Sequence, residues 1–204
     1  MTFPIAPDDW FNEEIKRGRG VFDRKSYERA LVYCKERYIA LDIGAHVGSW
    51  TAQMAKDFLE VHAFEPDKTN FEYLRHNTSD YTNAYIYNMA AGEKEGRVSM
   101  KKGERNSGQS HIVSGNETDM IKIDDVLDVR VDLIKFDVEG YEYYAMRGAE
   151  RVLRESDAVV IWENNGLSES RYGLSVDAID TFLHRCGYSR AEKVKYDEIW
   201  VKHG

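Results

Sequence analysis

Apolar residues along the chain follow two different periods, and the change between them predicts successive helices and strands. Tyr27, Ala30, Leu31 and Cys34 recur at helical spacing, so the first forty residues are predicted to be largely helical. Residues 38–43 then form a short, almost continuous apolar run, which is typical of a strand buried on both faces. A strand and helix alternation is therefore expected from residue 38 onward.

Further short apolar runs predict the other strands, at 61–65, 84–87, 97–100, 131–137, 158–163, 189–193 and 198–202. Helical spacing between them predicts helices that include 141–154 and 175–186. The expected fold class is α/β: a Rossmann-like, mainly parallel seven-stranded sheet with an antiparallel C-terminal strand and helices on both faces. The polar residues 101–119 are expected to form a long loop that closes over a substrate as a lid.

A length of 204 residues fits one domain, with a core over 38–204 and a helical segment over 1–37 that is a candidate substrate cap. The formal charge of −8 argues against a protein that coats nucleic acid. No apolar run is long enough to span a membrane, and the N-terminus lacks a signal-peptide pattern, so a cytoplasmic protein is expected. Cys34 and Cys186 are expected to be buried, reduced thiols.

A glycine-rich turn follows the first predicted strand, in the segment from Asp42 through Gly44 to Gly48. Such a turn lets the backbone approach a ligand, and Glu65, at the end of the next strand, is placed to hold a ribose diol. The dinucleotide pattern G-x-G-x-x-G is absent, and Asp42 would oppose a pyrophosphate. A carboxylate at this turn suits a cationic sulfonium, so S-adenosylmethionine is the expected cofactor.

Five segments together resemble the FkbM-type methyltransferases: LDIGAHVGSW (41–50), HAFEPD (62–67), AAGEKEG (90–96), IKIDDVL (121–127) and IKFDVEGYE (134–142). The resemblance covers about residues 38–165. It implies a class I S-adenosylmethionine-dependent methyltransferase that methylates oxygen, often a sugar hydroxyl of a glycan, nucleotide sugar or natural product. His46 stands where that family commonly has Asn. The implied cofactor-binding residues are Asp42, Gly44, His46, Gly48, Ser49, Trp50, Glu65, Pro66, Ala90, Ala91 and Asp137.

The chemistry is expected beyond the carboxyl ends of the strands, where the strand order switches between the first and fourth core strands. Removing a hydroxyl proton needs a base, and Asp137, His111 and Glu163 are the candidates. Lys135 and Glu139 flank Asp137 and complete the candidate catalytic set. Asp137, Glu139 and Glu163 also present oxygens that suit Mg²⁺, although no separate metal-ligand motif is present, so no metal is assigned.

The acceptor is expected to be a small molecule or glycan, bound by Glu163, Asn164, Asn165, Arg171 and Tyr172. The basic residues Lys16, Arg17, Arg19, Arg24 and Lys25 are either a grip for a phosphate-bearing acceptor or a solvated helix face. Two alternatives stay open: a nucleic-acid methyltransferase, and a non-catalytic module that binds S-adenosylmethionine.

Overall fold

The computed structural model describes residues 23–103 and 106–203. Its strands, in chain order, are β1 (Ile39–Ile43), β2 (Glu60–Phe64), β3 (Ala84–Tyr87), β4 (Ala90–Ala91), β5 (Gly96–Lys101), β6 (His111–Ser114), β7 (Thr118–Ile121), β8 (Leu133–Phe136), β9 (Val159–Glu163), β10 (Tyr188–Val194) and β11 (Asp197–Lys202). Its α-helices are α1 (Arg24–Leu31), α2 (Ser49–Asp57), α3 (Lys68–Asn77), α4 (Ile123–Val126), α5 (Glu142–Arg147), α6 (Glu150–Glu155), α7 (Leu167–Tyr172) and α8 (Val176–Arg185), and one 3₁₀ turn covers Ser107–Gln109.

The main sheet has seven strands in the order β10-β11-β9-β8-β1-β2-β3. The strands β1, β2, β3, β8 and β9 run parallel, and β11 pairs antiparallel with β9 and with β10. The strand order switches between β1 and β8, as expected for the first and fourth core strands. The predicted α/β fold with a mainly parallel seven-stranded sheet is confirmed.

Strand alternation separates the core into two layers, one on each face of the main sheet. Leu41 of β1 packs with α5, α6 and α8 on one face, whereas Ala40 packs with α1 and α2 on the other. The same period places Asp42 on the α1 and α2 face, next to its register partner Lys135 on β8. The polar pair of Asp42 and Lys135 therefore lies within the sheet, near the carboxyl ends of its central strands.

The polar stretch 101–119 is not a structureless loop, so that expectation is wrong. Three strands of a second sheet, of order β4-β7-β5-β6, include residues of this stretch: the end of β5, all of β6 and the start of β7. Ile112 and Met120 are buried in this sheet and form its small core with Ala90 and Val98. Strands this short, surrounded by Ser, Gly and Asn, lack the apolar runs from which the other strands were predicted.

The predicted helix over 141–154 is two helices, α5 and α6, because the chain turns at Gly148. A Cβ atom at Gly148 would lie 1.9 Å from the carbonyl oxygen of Gly92, so the close approach requires glycine. The helix α7 lies in a segment for which the sequence predicted no helix.

At the N-terminus, α1 begins after Asp23, whose side chain accepts a hydrogen bond from the backbone of Ser26 at 3.3 Å. The rest of the predicted helical cap, with Lys16, Arg17 and Arg19, lies outside the described residues. Arg24 pairs with Glu28 on the exposed face of α1, which favours a solvated face at this end of the basic cluster. Among the described helices, none is long and apolar enough to cross a membrane.

Candidate functional site

A cavity of about 370 Å³ opens at the carboxyl ends of the central strands. It is lined by the residues that follow β1, β2, β8 and β9, by the start of the second sheet, and by the turn between β10 and β11. Its volume lies in the range of about 300–1,000 Å³ that is typical of small-molecule and cofactor sites. This is the edge of the sheet where the sequence predicts the ligand.

The glycine turn lies at the floor of this cavity. Gly44 has a φ of +86°, and a Cβ atom there would lie 1.8 Å from the carbonyl oxygen of Asp137. The two loops that follow β1 and β8 can meet only because residue 44 has no side chain. Gly48 has a φ of +89° and precedes the first residue of α2, although it does not itself line the cavity.

A buried ion-pair network supports the turn from below. Lys135 Nζ lies 3.1 Å from Asp137 Oδ2, 3.5 Å from Asp42 Oδ1 and 3.3 Å from the carbonyl oxygen of Gly44. Thr51 Oγ1 donates a 2.6 Å hydrogen bond to the other oxygen of Asp42. Burial opposes the ammonium charge, but the two carboxylates raise the pKa of Lys135 above its ordinary value. Lys135 therefore joins the strand ends and carries a positive charge.

Asp42 was expected to contact the cofactor, and the structure places it one layer deeper. Its side chain is fully buried and is absent from the cavity lining. Burial raises the pKa of Asp42, while Lys135 and Thr51 act in the opposite direction. Through Lys135, Asp42 braces the backbone of the glycine turn.

Glu65 follows β2 and lines the cavity, although its residue is only 5% exposed. Its Oε2 accepts a hydrogen bond from the backbone N–H of His46, and its Oε1 accepts one from Asp67, both at 2.8 Å. Burial raises the pKa of Glu65 to about 7, and these two hydrogen bonds limit the rise. The Asn70 side chain also donates a hydrogen bond to this carboxylate, which lowers its pKa.

Pro66, Ala90 and Ala91 line the same side of the cavity as Glu65. Asn88 fixes this wall, since its side-chain amide donates to the carbonyl oxygens of Glu65 and Pro66 at 2.8 and 3.2 Å. Small apolar residues therefore lie beside a carboxylate in this part of the lining. Such an arrangement suits a nucleoside base next to its ribose.

The second sheet covers this part of the lining through the residues between β5 and β6. Ser107 Oγ lies 2.5 Å from Nε2 of His46, and the Ser107 carbonyl oxygen accepts a hydrogen bond from Asn70 at 3.3 Å. His46 itself has a φ of +52°, a conformation that Asn adopts more readily than most residues. The lid predicted at 101–119 is thus a folded wall that is tied to the glycine turn.

Three carboxylates gather on the other side of the cavity, where Asp137, Glu139 and Glu163 present oxygens within 4.8 Å of one another. Burial and the charge of Asp137 raise the pKa of Glu163 and bring that of Glu139 to about 7, although Arg171 acts in the opposite direction on Glu139. Arg171 pairs with Glu139 at 2.8 Å. Lys135 and Arg171 supply positive charge that a metal ion would otherwise supply, so no metal enters the function proposed below.

The sequence-predicted residues divide into those that line the cavity and those that do not. The lining includes Gly44, His46, Ser49, Trp50, Glu65, Pro66, Ala90, Ala91, Lys135, Asp137, Glu139, Glu163 and Asn165. The predicted residues outside the lining are Asp42, Gly48, His111, Asn164, Arg171 and Tyr172.

His111 is not brought to the cavity because of the alternation of β6. Ile112 turns inward and is buried, so its neighbour His111 turns to the opposite face, where Nδ1 lies 3.2 Å from the Gln109 carbonyl oxygen. Asn164 and Tyr172 act as structural contacts instead. The Asn164 amide donates to Glu198 at 2.8 Å, and the Tyr172 hydroxyl donates to the Ile112 carbonyl oxygen at 2.9 Å.

Sequence reasoning missed several lining residues, among them Asn106, Ser107, Met89 and Tyr196. Asn106 and Ser107 lie in the stretch that was predicted to be a mobile lid. Tyr196 lies in the turn between β10 and β11, and the signal that could have indicated it is the pairing of the last strand with the strand that ends at Glu163.

The fold and this cavity define a class I methyltransferase, and comparisons with known proteins agree. The family described as Methyltransferase FkbM domain matches residues 42–190. A solved structure of methyltransferase FkbM from Methylobacillus flagellatus KT has 20% identity and a TM-score of 0.57, covering 80% of this chain and 43% of that chain. This chain therefore spans less than half the length of that protein. No curated protein sequence matches the chain.

Two further solved structures share the fold. Magnesium protoporphyrin IX methyltransferase from Synechocystis PCC 6803, solved with bound S-adenosylmethionine, has 13% identity and a TM-score of 0.55, covering 98% of this chain and 88% of that chain. Precorrin-6y C5,15-methyltransferase from Geobacter metallireducens GS-15 has 13% identity and a TM-score of 0.53, covering 89% and 91%. The chain belongs to the FkbM methyltransferase family, and its cofactor is S-adenosylmethionine.

Proposed function

We propose that this protein transfers a methyl group from S-adenosylmethionine to a hydroxyl group of a sugar. The observation that carries the proposal is the carboxylate cluster of Asp137, Glu139 and Glu163, which lines the cavity next to the glycine turn. Carboxylates accept hydrogen bonds from several hydroxyls at once, and one of them can take a proton.

The lining fits the cofactor on features of this chain itself. Gly44 lets the loops after β1 and β8 meet at the floor of the cavity, Glu65 offers two acceptor oxygens to a ribose diol, and Ala90 and Ala91 are small apolar residues of the lining that suit the adenine. The network of Asp42, Lys135 and Asp137 has a net charge of −1 when both carboxylates are ionised, which favours a cationic ligand. When bound, S-adenosylmethionine supplies an electrophilic methyl group on a sulfonium.

The protein residues then hold and deprotonate the acceptor. Asp137 ends β8 at the strand switch point, and its side chain is 38% exposed, so it can reach a bound hydroxyl. Lys135, whose Nζ lies 3.1 Å from Asp137 Oδ2, fixes the orientation of this carboxylate. In this proposal Asp137 accepts the hydroxyl proton, while Glu163 and Asn165 hold neighbouring hydroxyls. Alignment of the nucleophile with the methyl group supplies much of the rate.

A phosphate-rich acceptor is disfavoured at this site when the carboxylates of Asp137, Glu139 and Glu163 are ionised, because they would then repel it. This charge distribution argues against the nucleic-acid alternative, in line with a net charge of −8. The non-catalytic alternative predicts that S-adenosylmethionine binds but that no methyl group is transferred. An assay of methyl transfer therefore distinguishes it from the proposed function.

The test is a radiolabel transfer screen with tritiated S-adenosylmethionine against glycans, methyl glycosides, nucleotide sugars, amines and RNA. We expect label on a hydroxyl of a carbohydrate, and loss of at least about 100-fold in rate for Asp137→Asn. A matched control is Asp128→Asn, because the Asp128 side chain is fully exposed and lies outside the cavity lining. Label on RNA or on amines alone would refute the proposal, and binding without transfer to any acceptor would support the non-catalytic alternative.

A further inference from the structure

The cavity lining extends to both sides of Asp137. Its cofactor side follows β1, β2 and β3, where Gly44, Glu65 and Ala90 lie. Its other side lies past β8, where Glu163 and Asn165 follow β9 and Tyr196 lies in the turn before β11. Because the strand order is β11-β9-β8-β1-β2-β3, these two groups are on opposite sides of Asp137. The second side is therefore free for an acceptor.

Tyr196 is held there by its backbone while its ring stays accessible. Its carbonyl oxygen accepts a 2.7 Å hydrogen bond from the backbone of Asn164, and Asp197 is the register partner of Glu163. The preceding residue, Lys195, pairs with Asp23 at 2.7 Å. The residue is nevertheless 63% exposed, and within the described part of the chain its hydroxyl makes no hydrogen bond.

An exposed aromatic ring on a fixed backbone, beside a carboxylate and an amide, is suited to binding a sugar ring. Pyranose rings combine an apolar C–H face with a rim of hydroxyls. A tyrosine ring offers an apolar surface at a low cost in side-chain entropy, whereas carboxylates and amides bind hydroxyls. Glu163 and Asn165 are already arranged as a pair, since the Asn165 amide donates to Glu163 at 2.5 Å.

We propose that Tyr196 is the acceptor platform of this enzyme, a specificity-determining residue that stacks on the apolar face of a sugar ring whose hydroxyls reach Glu163 and Asn165. The inference rests on the proposed function and adds the residue that selects the acceptor. Tyr172 was expected from the sequence to bind the acceptor, but it lies outside the cavity lining.

The first test uses turnover with the best carbohydrate acceptor from the transfer screen. Tyr196→Ala is expected to lower kcat/KM by about tenfold, mainly through KM, whereas Tyr196→Phe keeps it within about threefold because the stacking surface remains. The affinity for S-adenosylmethionine should stay unchanged in both variants. Tyr38→Ala is the matched control. Tyr38 is 56% exposed, but it precedes β1 and so lies at the amino ends of the parallel strands, opposite to the cavity. Equal kcat/KM for Tyr196→Ala and the control would overturn the inference.

The second test needs no turnover and separates the two proposals. Saturation-transfer difference NMR is recorded on the protein saturated with S-adenosylhomocysteine, with methyl α-D-glucopyranoside, methyl α-D-mannopyranoside and methyl β-D-galactopyranoside as probes. Saturation of the sugar C–H protons that is lost in Tyr196→Ala and kept in Tyr196→Phe supports the platform. If the glycosides bind equally well to Tyr196→Ala, the inference about Tyr196 is overturned, and the proposed function is unaffected. If the enzyme methylates a non-hydroxyl acceptor and the rate still depends on the Tyr196 ring, the proposed function is wrong and the role of Tyr196 stands. If none of the glycosides binds at all, the inference that Tyr196 stacks on a sugar is wrong.

Discussion

Replacing Glu65 tests how the cavity holds the ribose of S-adenosylmethionine. Glu65 is 5% exposed, and each of its oxygens already accepts one backbone N–H at 2.8 Å. A ribose diol would add two more donors to an anion that is poorly solvated. Glu65→Ala removes both acceptors, and Glu65→Gln keeps the shape but removes the charge and turns an N–H₂ group toward a backbone donor.

The expected loss follows from the number and type of these hydrogen bonds. A hydrogen bond to a charged group contributes about 1.5–3 kcal/mol, and the two share one anion, so about 3 kcal/mol is a reasonable total. This corresponds to a Kd for S-adenosylmethionine that is roughly 100-fold higher in Glu65→Ala. Glu65→Gln should lie between the alanine variant and the unsubstituted protein.

The affinity should also depend on pH, because only ionised Glu65 is a strong acceptor. Burial raises its pKa to about 7 in the unliganded protein. At pH 6 roughly a tenth of the molecules carry the ionised carboxylate and at pH 8 about nine tenths do, so Kd should fall by about tenfold between these values. The pKa is raised on folding, so the folded protein retains a proton that the unfolded chain loses. The free energy of unfolding should therefore decrease, by at most about 3 kcal/mol, as pH rises from 4.5 to about 7.

Isothermal titration calorimetry at pH 6, 7 and 8 measures these affinities. The ligand has its own titrating amino group, but that contribution is common to all variants and cancels in the difference from Glu65→Gln. Glu72→Gln is the matched control, since Glu72 is half-exposed on α3 and pairs only with Arg75 among the described residues. A Kd that does not change with pH, together with full affinity in Glu65→Ala, would refute both the ribose contact and the role of the raised pKa.

Three further predictions concern the carboxylate cluster, the loop histidine and the glycine turn. Asp137→Asn should lower kcat by about 100-fold or more in single-turnover kinetics at saturating S-adenosylmethionine, and a kcat within about threefold of that of the unsubstituted protein would contradict the role of this carboxylate as the base. His111→Ala should keep kcat within about twofold in the same assay, because His111 does not line the cavity; a large loss would contradict that position. Gly44→Ala should destabilise the fold by several kcal/mol more than Gly166→Ala, measured by urea denaturation, since both have φ above +80° but only the Cβ at residue 44 meets a backbone atom. Equal stabilities would show that the loops after β1 and β8 can separate at little cost.

The main sheet could be predicted from the sequence because its strands are buried on both faces. Runs such as the one ending at Ile43 contain few polar residues, and glycine or proline follows them directly. The second sheet could not be predicted in this way. β6 has one buried residue, Ile112, between partly exposed neighbours, and its stability depends on pairing with β5 and on contact with Tyr172. Such contacts between distant segments leave no local period.

The candidate site was predicted where a side chain lies directly after a core strand. Glu65, Asp137 and Glu163 all occupy such positions, and the parallel sheet brings them to one edge. The direction of other side chains depends on details that the sequence pattern does not contain. Asp42 is part of β1 itself and is therefore buried under the turn, and Tyr196 reaches the cavity only because β11 pairs with β9.

Lys135 explains how a site for a cation can contain a buried ammonium group. A lysine with an exposed fraction of 6% would be costly alone, and it would repel a sulfonium. Asp42 and Asp137 on either side reverse both effects, because they compensate the ammonium and leave one excess negative charge. In return, Lys135 holds the Gly44 carbonyl oxygen and the Asp137 carboxylate in fixed positions. A single carboxylate in place of this triad would supply the same net charge, but it would not join β1 to β8 at the point where cofactor and acceptor must meet.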